Sequence, residues 1–196
     1  MGKDMDSSLV VRAQHGDRGA FTDLVDDIGG RLHAIAFSVL RDRELAGDAT
    51  QQTLLTAWQQ LPSLRDPDRF EAWTCRILVR NCRREGRKAK RWLAAIAEKP
   101  EGEAVTADET ASVVARDRIE RAFRGLNLDQ RLVVVLHYSL DLPPAVIADR
   151  LGVPVGTVHS RLHRSLHLMH AAIDADERTA TPARTTRPRV QQEATR

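Results

Sequence analysis

No stretch of the 196 residues approaches the ~20 consecutive apolar positions that a membrane-crossing helix needs. The opening residues MGKDMDSSLV lack the basic-then-apolar layout of a secretory leader, so none is expected. Cysteine is scarce: Cys75 and Cys82 are the only two. Seven positions apart on a helical pattern, they stand about two turns from each other, too far to bridge. Two thiolates alone cannot complete a four-coordinate zinc site. Two reduced, packed thiols are therefore expected, and with them a cytoplasmic, membrane-free protein. Also missing are a phosphate-binding glycine loop, a metal-ligand cluster of adequate spacing and a nucleophile motif. An enzyme is not expected, nor a cofactor, nor a metal. Strand alternation and internal repeats are absent as well, which leaves an all-α class.

What is present is helical. Hydrophobic residues make up 42% of the chain, enough for a core, and charged residues 29%. The net charge of +3 hides strong local segregation, because 30 Lys and Arg offset 27 Asp and Glu. Leu54, Ala57, Trp58 and Leu61 fall at i, i+3, i+4, i+7, the pattern of an amphipathic helix. Asp66 and Pro67 read as cap and first turn of another helix, with Phe70, Trp73 and Ile77 as its apolar stripe. Upstream, the segment from Gly16 to Asp42 reads as a helix interrupted near Gly29 and Gly30. Together these predict an all-helical domain over residues 7–91. The composition then shifts. EKPEGEAVTADET, from Glu98 to Thr110, holds five acidic residues and one Lys with almost no bulky apolar group, so residues 92–112 are expected to be a flexible acidic linker. Helical periodicity resumes at Ile119, Ala122, Phe123 and Leu126, predicting a second small domain over 113–174. Residues 175–196 are expected to be a disordered tail.

The stretch LGVPVGTVHSRLHR, Leu151 to Arg164, carries the sharpest local signal. On a wheel of ~100° per residue, Val155, Val158, Leu162, Leu166, Met169 and Ile173 share one sector, the predicted core stripe. The opposite sector holds Gly156, Thr157, Ser160, His163, Arg164 and His167, with Arg161 on a shoulder. That outer face has no acidic residue, and its small N-terminal residues allow close approach to a surface where the helix dipole favours phosphate. Ahead lies PPAVIADRLG, a short helix with Pro144 in its first turn and Gly152 at its end. Two helices about a tight turn, the second with a basic outer face, form a helix-turn-helix, and the pair points to DNA where an isolated basic helix would point only to solvent. His159, His163, His167 and His170 are spaced 4, 4 and 3, but no Cys or carboxylate stands among them, so solvent or DNA contact is expected rather than a metal.

At these residues a resemblance enters. LNLDQRLVVVLHYSLDLPPAVIADRLGVPVGTVHSRLHRSLHLM resembles region four of bacterial extracytoplasmic-function sigma factors, and the segment from Gly16 to Arg87 resembles their region two. The resemblance covers about three quarters of the chain. It implies promoter-directed transcription initiation with core RNA polymerase, promoter DNA and an anti-sigma factor as partners. The helix matching Glu44 to Leu61 would dock on the β′ clamp helices, with Asp48, Gln51 and Gln52 at the contact positions, while region four would meet the β flap. The loop SLRDPDRF and the following helix match the part that captures a flipped base of the proximal promoter element. Candidates are Leu64, Arg65, Asp66 and Arg69 in the loop, and Arg80, Asn81, Arg84 and Arg87 on the helix, whose basic run RREGRKAKR suits phosphate contact. In region four the resemblance assigns the upstream element to the outer face already found, Thr157, Ser160, Arg161, His163 and Arg164.

Three departures from the family pattern are visible. Asn127 stands where many relatives have Pro. Pro143 replaces the customary Ser cap of the first helix of the motif, a loss of ~1 kcal/mol partly offset by Pro144 at N1. Gln51–Gln52 replaces a Gln–Glu pair. A stand-alone helix-turn-helix regulator that binds DNA as a dimer is the rival reading, and the region-two resemblance argues against it.

Overall fold

The computed structural model describes residues 7–96 and 119–180, with side chains for 7–92 and 119–176. Every regular element among them is helical. In the N-terminal part, α1 (Ser7–Gln14), α2 (Arg18–Leu40), α3 (Arg43–Gln60) and α4 (Phe70–Ile96) pack on one another around Leu24, Ile28, Leu32, Leu61, Phe70 and Leu78. The chain enters α2 and α3 through aspartate caps: Asp17 accepts from the Ala20 N–H at 3.0 Å and Asp42 from the Leu45 N–H at 2.9 Å. The Ala20 amide, followed by the Arg12 guanidinium, holds the Asp17 carboxyl below its ordinary pKa.

The expected break at Gly29–Gly30 does not occur, for α2 runs unbroken from Arg18 to Leu40. Each glycine costs about 1 kcal/mol relative to Ala in a helix interior. Flanking Ile28 and Leu32 are 2% and 3% exposed, and burying each such side chain contributes about 1.5–3 kcal/mol. Packing wins over propensity. The helix boundaries differ too. α4 continues to Ile96, beyond the expected start of a linker at 92, and the last helix continues to Ala180, beyond the tail boundary at 175. The remaining residues of the acidic stretch and tail lie outside the described ones.

Cys75 and Cys82 are both buried, and neither forms a disulfide. Burial pushes both thiols up, Cys82 to about 12, so they stay protonated and inert.

The C-terminal part begins with a helical segment over residues 119–124, followed by α5 (Leu128–Val134), which passes into a π-helical turn over Val135–Ser139, then α6 (Pro144–Leu151) and α7 (Val155–Ala180). Asn127, the departure from proline, forms a full capping box. Its Oδ1 accepts from the Gln130 N–H at 3.0 Å, and its own N–H donates to Gln130 Oε1 at 2.9 Å. A proline there would lack that second donor. Pro143 caps α6 without a side-chain bond, with Pro144 at N1. Gly152 closes α6 at φ 64°, a left-handed conformation natural to glycine, and Pro154 then accepts from the Thr157 N–H to start α7.

The two parts share one hydrophobic cluster and touch through polar contacts as well. Arg41, a non-glycine at φ 59° that caps α2, lies 5.8 Å from the Phe37 ring and 5.9 Å from the Phe123 ring, and pairs with Glu120. Side-chain bonds from Arg41 and Arg124 hold Glu120 below its ordinary carboxylate range. Arg76 meets Asp149 at 3.3 Å, and Arg83 meets both Asp129 at 3.1 Å and the Leu151 carbonyl at 3.0 Å. Gly86 of α4 faces Leu128 so closely that an added Cβ would come within 2.8 Å of its side chain.

Candidate nucleic-acid interface

α3 buries a face of small residues: Ala46, Ala49, Thr50, Thr53 and Ala57. Thr50 and Thr53 hydroxyls donate back to the Ala46 and Ala49 carbonyls at 2.7 Å each, which lets them sit inside without an orphaned group. The apolar stripe expected from the sequence is thus displaced. Ala57 and Leu61 are buried, but Leu54 and Trp58 are only half-buried, Trp58 stacking on Phe21 with ring centroids 4.8 Å apart. The other face of α3 is open. Asp48 and Gln51 are exposed, and Gln52 is half-buried with its amide 3.5 Å from the Thr56 hydroxyl. Leu55, which sequence reasoning did not single out, stands among them 49% exposed. A singly exposed leucine is ordinary on a protein surface, and here it gives the polar face one apolar spot. Its signal in the sequence was hidden because Leu54 and Leu55 compete for the same core reading.

The loop after α3 is firmly held. Gln14 Nε2 donates to the Leu61 and Leu64 carbonyls at 3.2 and 2.7 Å, and Leu64 packs half-buried on the core. Arg65, Asp66 and Arg69 are exposed. Asp66 has a structural task, accepting from the Asp68 N–H at 3.2 Å and pairing with Arg69 at 3.3 Å, so Pro67 starts a short 3-10 turn into α4.

On α4, Arg80, Arg84 and Arg87 are exposed, with Arg84 3.0 Å from Glu85. Asn81 requires a correction. Expected on the DNA-facing surface, it is 4% exposed, and its amide donates to Thr53 Oγ1 at 3.0 Å, tying α4 to α3. It cannot reach a base from there.

In α7 the buried face is Val158, Leu162 and Ser165, whose hydroxyl donates to the Arg161 carbonyl at 2.6 Å. Val155, expected in the core stripe, lies in the first turn of α7 and is 42% exposed. Leu166, Met169 and Ile173 are half-buried. Ser160, His163 and Arg164 are exposed on the outer side and Thr157 is half-buried, its carbonyl accepting from Ser160 Oγ at 3.0 Å. His159, His167 and His170 are exposed too, and among the described residues no three His, Cys, Asp or Glu side chains gather as metal ligands. Arg161 points elsewhere, to Asp129 at 3.0 Å, with its side chain only 25% exposed. Asp129 therefore holds Arg83 and Arg161 at once, one from each part of the chain.

A helical N-terminal part with an open polar face and a basic α4, followed by a helix-turn-helix, defines a two-part transcription factor of the sigma type. Residues 24–93 match Sigma-70 region 2, and residues 116–169 match Sigma-70, region 4. The chain is 34% identical over 163 residues to the ECF RNA polymerase sigma factor SigM of Mycobacterium tuberculosis, covering 82% of this chain and 80% of that one. It is 26% identical over 167 residues to the ECF RNA polymerase sigma factor SigW of Bacillus subtilis, covering 79% and 89%. The structure of CnrH in complex with the cytosolic domain of CnrY matches with a TM-score of 0.63 and 27% identity, over 87% of this chain and 98% of that one. The chain belongs to the extracytoplasmic-function group of the sigma-70 family. Its function is that of a non-catalytic, promoter-directing transcription initiation factor. Among the described residues no helix is long and apolar enough to cross a membrane.

Proposed function

We propose that the outer face of α3, Asp48, Gln51 and Gln52 with Leu55 at its centre, docks on the β′ clamp helices of core polymerase, and that region four meets the β flap. Promoter DNA is contacted in two places. Leu64, Arg65 and Arg69 in the loop and Arg80, Arg84 and Arg87 on α4 take the proximal element, while Thr157, Ser160, His163 and Arg164 on α7 take the upstream element. Arg161 joins this set once released from Asp129, and Asp66 acts through the loop it caps. The observation that carries the DNA reading is α7 itself. No carboxylate occurs from Val155 to Ile173, and Ser160, His163 and Arg164 project to solvent opposite Val158 and Leu162. An anti-sigma protein is proposed as a further partner, supported by the likeness to CnrH, which was solved with the cytosolic domain of CnrY. This work is done in the cytoplasm.

Arg164→Ala tests the α7 assignment. Loss of a bidentate base contact costs about 1–3 kcal/mol and relaxes preference at one base pair. Fluorescence anisotropy of holoenzyme on variants of the upstream element reads both effects, and unchanged affinity and preference would place Arg164 on solvent. On α4 the expected signature is different. Arg84→Gln with Arg87→Gln should weaken promoter binding at every sequence alike and flatten the log-affinity against log-salt slope by about 0.9 per lost phosphate contact. A wild-type slope, or an effect confined to one promoter, would remove these residues from the phosphate path.

A further inference from the structure

Between α4 of region two and the start of α5, α6 and α7 of region four lies a cleft of about 1440 Å³. Ten Arg and Lys side chains line it against three Asp, and nine of the ten are Arg. The three carboxylates are already engaged. Asp42 caps α3, Asp149 pairs with Arg76, and Asp129 pairs with Arg83 and Arg161. Among the described residues no carboxylate is left for Arg80, Arg87, Arg131, Arg150 or Arg164. The shortage reaches the interior. Arg131 Nε, Arg150 Nε and Arg161 Nη1 are buried without a hydrogen-bond acceptor among the described residues, and all three side chains line this cleft. A buried, unpaired N–H of a charged group is costly, and an anion that supplies an acceptor removes that cost. Burial and the neighbouring Arg41 charge both push the Arg131 pKa down, the mark of a cation short of counter-charge.

We propose that this cleft binds a compact phosphate polyanion, a nucleoside polyphosphate or an inorganic polyphosphate chain, which bridges region two and region four. Guanidinium forks from two walls match phosphate oxygens bidentately, and a polyphosphate concentrates several charges within the span of one cleft. Duplex DNA does not fit the same place, because the walls meet where Arg83 bonds the Leu151 carbonyl at 3.0 Å and where Gly86 abuts Leu128. Arg80, Arg87, Arg161 and Arg164 also stand in the proposed DNA-facing set, so occupation competes with promoter binding. That consequence rests on the DNA reading, whereas binding to the cleft does not.

The test uses the full chain alone, without polymerase or DNA. Inorganic tripolyphosphate is titrated by calorimetry and followed by the rise in melting temperature, with GTP and ATP as parallel probes. Saturable one-to-one binding is expected, weakened at least tenfold by Arg131→Gln with Arg150→Gln. Arg80→Glu on the facing wall, an exposed position, should give a comparable loss and keeps the result readable if the first variant fails to fold. Equal affinity for tripolyphosphate and the nucleotides identifies the phosphate chain as the ligand, and tighter nucleotide binding identifies a nucleoside polyphosphate. The proposal is overturned if sodium sulfate at equal ionic strength reproduces the effect, if hexaglutamate binds as tightly with the same arginine dependence, or if the arginine variants bind like wild type.

Discussion

Asp48→Lys combined with Gln52→Ala is expected to abolish assembly with core polymerase while leaving the fold intact. Asp48 is exposed and Gln52 half-buried, neither belongs to the buried face of α3, and the single side-chain bond of Gln52 is a 3.5 Å contact to Thr56. The helix is anchored instead by Ala46, Ala49, Thr53 and Ala57, and by the Asn81 amide on Thr53. At a desolvated interface, losing a favourable charge and adding a repulsive one costs about 2–5 kcal/mol. That corresponds to a fall in affinity between about 30-fold and a few thousand-fold. Co-purification and analytical gel filtration with core polymerase read the loss, and an unchanged circular dichroism melt confirms the fold. Leu55→Ala should weaken assembly in the same direction, since it removes the apolar centre of that face. If the double variant still assembles and initiates normally, the docking face lies elsewhere on the chain. If wild-type protein never binds polymerase, DNA binding alone would have to explain its action.

The helices of both regions, the aspartate cap before α4 and the turn at Gly152 were legible from short-range pattern, because 3.6-residue periodicity and capping chemistry are local. The errors fall where long-range packing decides. Gly29 and Gly30 read as a break, yet Ile28 and Leu32 are buried on either side and carry the helix through. Asn81 read as a surface donor because of its type. Burial of the Thr53 hydroxyl inside the region-two core makes an amide partner useful there, and that pairing spans 28 residues. Val155 obeys the wheel but lies in the first turn of α7, where it stays exposed. The role of Asp129 was the least legible. A carboxylate in the first turn of a helix reads as a dipole contact, while its partners Arg83 and Arg161 come together only in the folded chain.

Asp129→Lys is therefore expected to loosen the contact between region two and region four. The contact between them adds polar links, Arg41 with Glu120, Arg76 with Asp149 and the Arg83–Asp129–Arg161 bridge, to a hydrophobic cluster that both regions share, with Gly86 close against Leu128. Exposed pairs such as Arg76 and Asp149, with side chains 41% and 70% exposed, contribute about 0–1 kcal/mol. The bridge is different. Arg83 and Arg161 are 22% and 25% exposed, and Asp129 serves both. Removing the shared partner of such a pair leaves uncompensated, partly desolvated charges, and reversing its sign adds repulsion, for a combined cost of about 2–4 kcal/mol after allowance for solvent screening. The Asn127–Gln130 capping box does not use the Asp129 side chain, so α5 itself should persist. Small-angle scattering of the free chain should show a larger radius of gyration, approached by wild type only as salt is raised. Because Arg161 leaves Asp129 and joins the open face of α7, affinity of the free chain for upstream-element DNA should rise rather than fall. A variant with wild-type scattering and wild-type DNA affinity would mean that Arg41, held between Phe37 and Phe123, joins the regions without help from the bridge.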